Sequence, residues 1–107
     1  MPTYQPGDGW ELLSDPTRRA IVERLARQPS AVGELAEAFP ISRPAVSQHL
    51  KILKDAGLIT DQAAGNRRVY RLNPVGVAAL RDQLETFWRR ALGGYRNVVN
   101  QATEEDP

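Results

Sequence analysis

The chain has 107 residues, with 14 lysines and arginines against 13 aspartates and glutamates, one histidine and a formal net charge of +1. That length suits one domain, and the absence of cysteine excludes disulfides and thiolate metal sites and accords with a reducing compartment. No apolar run approaches the ~20 residues that cross a bilayer, and the polar, proline-bearing start lacks a secretory signal pattern, so no membrane association and a cytoplasmic location are expected.

Residues 1–9 hold two prolines and two glycines and read as a flexible arm. A short helix is expected over Trp10 to Leu13. Asp15-Pro16 is a helix start, an aspartate cap followed by proline at the first helical position. Ile21, Val22 and Leu25 follow at helical spacing, and Pro29 ends that helix. Ser30 is expected to cap a third helix carrying Val32, Leu35, Ala36 and Phe39, which Pro40 stops.

Ser42 caps a fourth helix, running to Ala56, with Pro44 tolerated in its first turn. Val46, Leu50 and Leu53 form one apolar stripe on it, and Gly57 is a natural left-handed stop. Leu58 to Ala63 and Arg68 to Leu72 then read as strands flanking a hairpin turn at Ala64-Gly65-Asn66-Arg67. Asn73-Pro74 repeats the cap-plus-proline start and opens a long helix, expected to end at about Leu92 or Tyr95, with a polar tail over 96–107. The expected fold is mainly α with a small β-hairpin: four helices, the hairpin and a last helix, the order of a winged helix-turn-helix. Residues 10–95 make up that domain.

Charge is unevenly placed. Between Ile41 and Leu72 stand Arg43, Lys51, Lys54, Arg67, Arg68 and Arg71, with only Asp55 and Asp61 against them. A basic zone spanning a helix-turn-helix and its wing implies double-stranded DNA as partner. With the apolar stripe of the fourth helix turned to the core, Arg43, Pro44, Ser47, Gln48 and Lys51 face outward. Arginine pairs with guanine edges and glutamine with adenine, so Arg43, Ser47 and Gln48 are the candidates for base edges. Ser42 and the first-turn amides suit a phosphate, Lys51 and Lys54 lie where a helix meets backbone, and Arg67 and Arg68 of the wing suit phosphates or the minor groove. Arg18 and Arg19 are a further candidate backbone contact.

The last helix carries Leu80, Leu84, Phe87, Trp88 and Ala91 on one side, more apolar surface than one small domain covers. Together with Trp10, Leu12 and Leu13 this face implies a two-fold homodimer. His49, beside the apolar stripe, reads as a packed, hydrogen-bonded histidine rather than a ligand.

Several stretches resemble the ArsR/SmtB family of bacterial repressors: Leu13 to Arg19, Val32-Gly33-Glu34-Leu35-Ala36, Ile41 to Leu53 with its Ser47-Gln48-His49-Leu50, Ala56-Gly57-Leu58-Ile59 and the wing Gly65 to Leu72. The likeness spans about Trp10 to Tyr95 and implies a homodimeric repressor of transcription. Many such proteins release DNA on binding metal through a cysteine pair in the helix before the recognition helix, or through Asp and His ligands along the last helix. Val32 to Glu37 contains no cysteine and Asp82 has no histidine near it in the last helix, so the resemblance points to the metal-independent branch, without metal or cofactor. No effector is named by the residues. The rival reading is a winged-helix protein-interaction module, which an apolar outward face on the fourth helix would favour. An enzyme is not expected, since no nucleophile-base constellation, paired carboxylates or glycine-rich phosphate loop is present.

Overall fold

The computed structural model describes residues 9–105, so the expected arm, apart from Gly9, lies outside the described residues. The elements are α1 (Gly9–Leu12), α2 (Pro16–Arg27), β1 (Ser30–Ala31), α3 (Val32–Ala38), α4 (Arg43–Asp55), β2 (Ile59–Ala64), β3 (Arg67–Leu72) and α5 (Pro74–Glu105). This is the winged helix-turn-helix order, with one strand more than the sequence suggested.

The caps carry out what their residue types dictate. Asp15 Oδ1 accepts from the Thr17 and Arg18 backbone N–H groups at 2.8 and 3.2 Å, closing the start of α2 with Pro16 at its first position. Ser42 Oγ accepts from Ala45 N at the start of α4. Ser30, expected to cap α3, does not. Ser30–Ala31 is extended and pairs antiparallel with Val69 and Tyr70 of β3, Ser30 is fully buried, and its hydroxyl donates to the Gln28 carbonyl. The cap position falls to Ala31, whose N–H donates to Glu34 Oε1 at 3.1 Å. Pairing with β3 satisfies backbone that a serine cap would have left outside the helix.

At the other end of α4 the chain turns through Gly57 at φ +80°. Gly57 N donates to the Lys54 carbonyl and Leu58 N to the Leu53 carbonyl, the paired bonds of a Schellman stop. The accompanying apolar contact, between the residues that the motif brings together, is made by Leu53 and Leu58, both buried in the core. The stop therefore delivers the chain from α4 into β2 with Leu58 and the first strand residue, Ile59, already in the core.

Eight buried residues form that core: Ile21 and Leu25 of α2, Leu35 of α3, Val46, Leu50 and Leu53 of α4, then Leu58 and Ile59. The sheet order is β1-β3-β2, antiparallel throughout, with Ile59 opposite Leu72 and Ala64 opposite Arg67. The hairpin loop is thus only Gly65-Asn66. A positive φ at Gly65 and not at Asn66 makes it a type II′ turn, whose twist matches that of the strands.

Asn73 ties α5 to the end of α4. Its Oδ1 accepts from Val75 N, its Nδ2 donates to the Gly57 carbonyl at 3.0 Å, and its own N–H donates to the Leu58 carbonyl. Gly76 packs so closely on Gly57 that a Cβ there would overlap the Gly57 carbonyl oxygen. Beyond this junction α5 runs to Glu105 rather than stopping near Leu92 or Tyr95, as expected. Gly93-Gly94 does not break it, and Val98, Val99 and Ala102 of the expected polar tail continue its apolar stripe. At 32 residues it is about 48 Å long, and the radius of gyration is 19.0 Å against about 13 Å for a compact chain of this length. The helix therefore extends well clear of the body. Among the described residues, no helix is long and apolar enough to cross a membrane.

Two glycine substitutions in α5 should move stability in opposite directions. Gly76→Ala should lower the thermal unfolding midpoint by several degrees, because the backbone of the α4–β2 turn must give way. Gly93→Ala has nothing within 4 Å of the added methyl and should raise stability by about 0.5–1 kcal/mol through helix propensity. Circular dichroism melts of both variants check this; no gain for Gly93→Ala would mean that the helix does not extend through the glycine pair.

Candidate nucleic-acid interface

The core fixes the rotation of α4. Val46, Leu50 and Leu53 are each at most 1% exposed, and α4 then presents Pro44, Ser47, Gln48 and Lys51 away from the core, flanked by Arg43 and Lys54, all exposed. Arg67 and Arg68, at the start of β3 beside the wing turn, are exposed as well. The sequence-derived candidates thus come together as an exposed helix face and an adjoining hairpin. Ser42 uses its oxygen as the helix cap, leaving its hydroxyl hydrogen free to donate outward. The Arg43 guanidinium is folded back over α3, against Gly33, where a methyl group would collide with it.

Sequence reasoning missed two acids. Asp61 Oδ1 binds Lys54 Nζ at 2.8 Å and Asp61 Oδ2 binds Arg68 Nη1 at 2.9 Å. Glu34 Oε1, which also caps α3, binds Arg67 Nη2 at 2.8 Å. Three of the basic residues assigned to DNA are therefore already paired in the free protein. The signals were available: Asp61 is one of two acids in the basic zone, and a glutamate three residues after a helix cap position commonly reaches back to it. The hydrogen bond from Lys54, foremost, holds the Asp61 carboxyl below the usual aspartate range.

Arg18 is half-buried and bonded within the fold. Its Nε donates to His49 Nδ1 at 3.3 Å and its Nη1 to the Leu12 carbonyl. Accepting on Nδ1, His49 ties α4 to α2 as a packed, hydrogen-bonded histidine. Among the described residues no group of three or more His, Asp or Glu side chains gathers into a metal cage.

The residues assigned to a dimer seam divide into two sets. Leu13 and Leu80 pack against the protomer's own core. Trp10, Phe87 and Trp88 form an aromatic row, with ring centroids 5.3 and 5.2 Å apart in edge-to-face geometry. Leu84 is half-buried and Ala91 exposed. Beyond them Leu92, Tyr95, Val98 and Val99 are exposed too, in a stripe roughly 140° wide at the helical repeat of 100° per residue.

A core-locked polar helix beside a basic β-hairpin, on a body with a long projecting helix, defines a winged helix-turn-helix transcriptional regulator. The model of the bacterial regulatory protein arsR family matches residues 15–61. The chain is 58% identical to the HTH-type transcriptional regulator Rv2034 of Mycobacterium tuberculosis (strain ATCC 25618 / H37Rv), over 98% of this chain and 99% of that one. The crystal structure of a possible transcriptional regulator for arsenical resistance superposes with a TM-score of 0.71 at 42% identity, over 81% of this chain and 95% of that one. The solution structure of a homodimeric winged helix-turn-helix DNA-binding domain from Mycobacterium bovis, a possible ArsR-family regulator, does so with a TM-score of 0.63 at 27% identity, over 79% of each chain. The chain belongs to the ArsR family of bacterial transcriptional regulators.

The caps make stability depend on acid. The Asp15 carboxyl is held below its ordinary value, chiefly by the hydrogen bond from Arg18 N. A carboxyl whose folded pKa lies below its unfolded one stabilises the fold fully above the unfolded value, near ~3.9, and ceases to as pH falls through the folded one. The melting temperature of the wild type should fall between pH 5 and pH 3. Asp15→Asn, which caps without titrating, should lose less over that interval, and parallel curves would contradict the assignment.

Proposed function

We propose that this protein is a homodimeric repressor that binds duplex DNA in the cytoplasm, reading the major groove with α4 and touching backbone or minor groove with the wing. The observation that carries the reading is the juxtaposition of the exposed polar face of α4 with the basic start of β3, on a helix whose rotation the core fixes. Arg43, Ser47 and Gln48 address base edges, Ser42 and Pro44 lie at the helix start against the backbone, and Lys51, Lys54, Arg67 and Arg68 meet phosphates. The exposed face of α4 is polar, which disfavours the protein-interaction alternative. The reading assigns no catalytic step, metal or cofactor to any residue.

The apolar face of α5 supports the dimer. A helix that projects from its domain with Trp88, Leu92, Tyr95 and Val98 exposed has no cover among the described residues of its own chain. Packing against the same helix of a second copy, with Trp10 and Phe87 at the seam, buries this face symmetrically. Two recognition helices then enter major grooves about one or two helical turns apart on a partly palindromic site. Occupancy of such a site within a promoter excludes polymerase.

Fluorescence anisotropy against the protein's own promoter fragment and an unrelated duplex, at two salt concentrations, tests the reading. Salt-sensitive binding that prefers the promoter is the expected result, and no binding to either duplex at low salt would overturn it. Arg67→Ala with Arg68→Ala should weaken binding to both duplexes and flatten the salt dependence by roughly one unit of slope per arginine. Gln48→Ala should instead change the preference among sequences. In sedimentation velocity at micromolar concentration the wild type should run as a dimer and Tyr95→Glu as a monomer; a monomeric wild type would remove the two-fold arrangement.

A further inference from the structure

All three ion pairs among the described residues fall in the wing or where it meets the helix-turn-helix: Lys54 with Asp61, Arg68 with Asp61, and Arg67 with Glu34. Their cations are half to two-thirds exposed, and ion pairs open to water on one side add little stability, so stability alone does not explain their concentration there. Their arrangement is layered. The Asp61 side chain is 9% exposed, whereas Lys54 and Arg68 are 50% and 62% exposed. The carboxylate lies behind and the cations in front. Each carboxylate oxygen engages one cation, and those cations come from different elements, Lys54 from the last turn of α4 and Arg68 from β3. An ammonium has three N–H donors and a guanidinium five, so both keep donors for a further anion.

We propose that Asp61 is a positioning residue for duplex recognition, holding Lys54 of α4 and Arg68 of the wing at a set separation so that the two cations meet the sugar-phosphate backbone as one unit. This rests on the DNA-binding reading above and goes beyond it by assigning an acid to the binding surface. Glu34 plays the same part for Arg67, while its capping bond to Ala31 anchors it to the first helix of the helix-turn-helix.

With Asp61 in place the trio carries a net charge of +1 and a fixed shape. Without its charge, two mutually repelling side chains sample many rotamers, and a duplex must order them on binding. The added unit of positive charge also strengthens attraction to phosphate of any sequence. The acid therefore trades general affinity for discrimination.

Asp61→Asn keeps the side-chain shape and tests this by anisotropy on the promoter fragment and the unrelated duplex. The preference for the promoter should fall about tenfold or more, with binding to the unrelated duplex unchanged or tighter. If Asp61 only dilutes positive charge, both duplexes tighten equally, the preference stays and the proposal is overturned. A second measurement substitutes the two cations, with Asp61 present and with it replaced. Lys54→Gln and Arg68→Gln alter exposed side chains bridged by the Asp61 carboxylate. Their effects on promoter affinity should be non-additive by about threefold or more in the wild-type background and additive beside Asp61→Asn. Additivity in both backgrounds would refute the positioning role. A wild type that binds no duplex would instead defeat the DNA reading, a result distinguishable from a wild type that discriminates while Asp61→Asn does so equally well.

Discussion

The structure depends first on the burial of one face of α4. Val46, Leu50 and Leu53 meet Ile21 and Leu25 of α2, Leu35 of α3 and Ile59 of the wing in a single cluster. A close-packed interior has few alternative arrangements, so the rotation of this helix about its axis is set. Everything polar on its far side is then aimed in one direction. Truncating Leu50 would cost about 2–5 kcal/mol, a large part of the stability of so small a domain, and would release the aim of the helix with it.

From that constraint the rest follows along the chain. The Schellman stop at Gly57 turns the end of α4 into the wing without leaving the core. Asp61 and Glu34 then hold the wing against the two helices it flanks. The same Gly57 carbonyl accepts from Asn73, and Gly76 fits over it, so the first turn of α5 is anchored on the end of α4. The element that carries the apolar face is thereby coupled, within a few residues, to the element that carries the polar one.

Much of this was legible in the residues. Asp15-Pro16, Ser42 with Pro44, Gly57 and Asn73-Pro74 each mark a boundary through local chemistry, and the structure uses all of them. The stripe of α4 at i, i+4 and i+7 located the core and, by opposition, the outward candidates. What was not legible depended on tertiary pairing. Ser30–Ala31 is too short to announce itself as a strand and becomes one only because β3 lies beside it, which displaces the expected serine cap. The full length of α5 is not legible because a glycine pair reads locally as a stop, whereas flanking turns with an unbroken apolar stripe carry the helix through it. The pairing of Lys54, Arg67 and Arg68 with acids joins residues 7 to 33 positions apart, and only the folded hairpin brings them together.

The face of α4 and the wing must act as one surface if the protein reads DNA in this way. Backbone amide shifts in nitrogen-15 spectra, followed as the protein is titrated with its promoter fragment, address this most directly. The account expects the largest changes within residues 42–55 and 61–71 together, with α2 and the middle of α3 little affected. Changes confined to α2 or to the outer face of α5, with α4 and the wing silent, would contradict it.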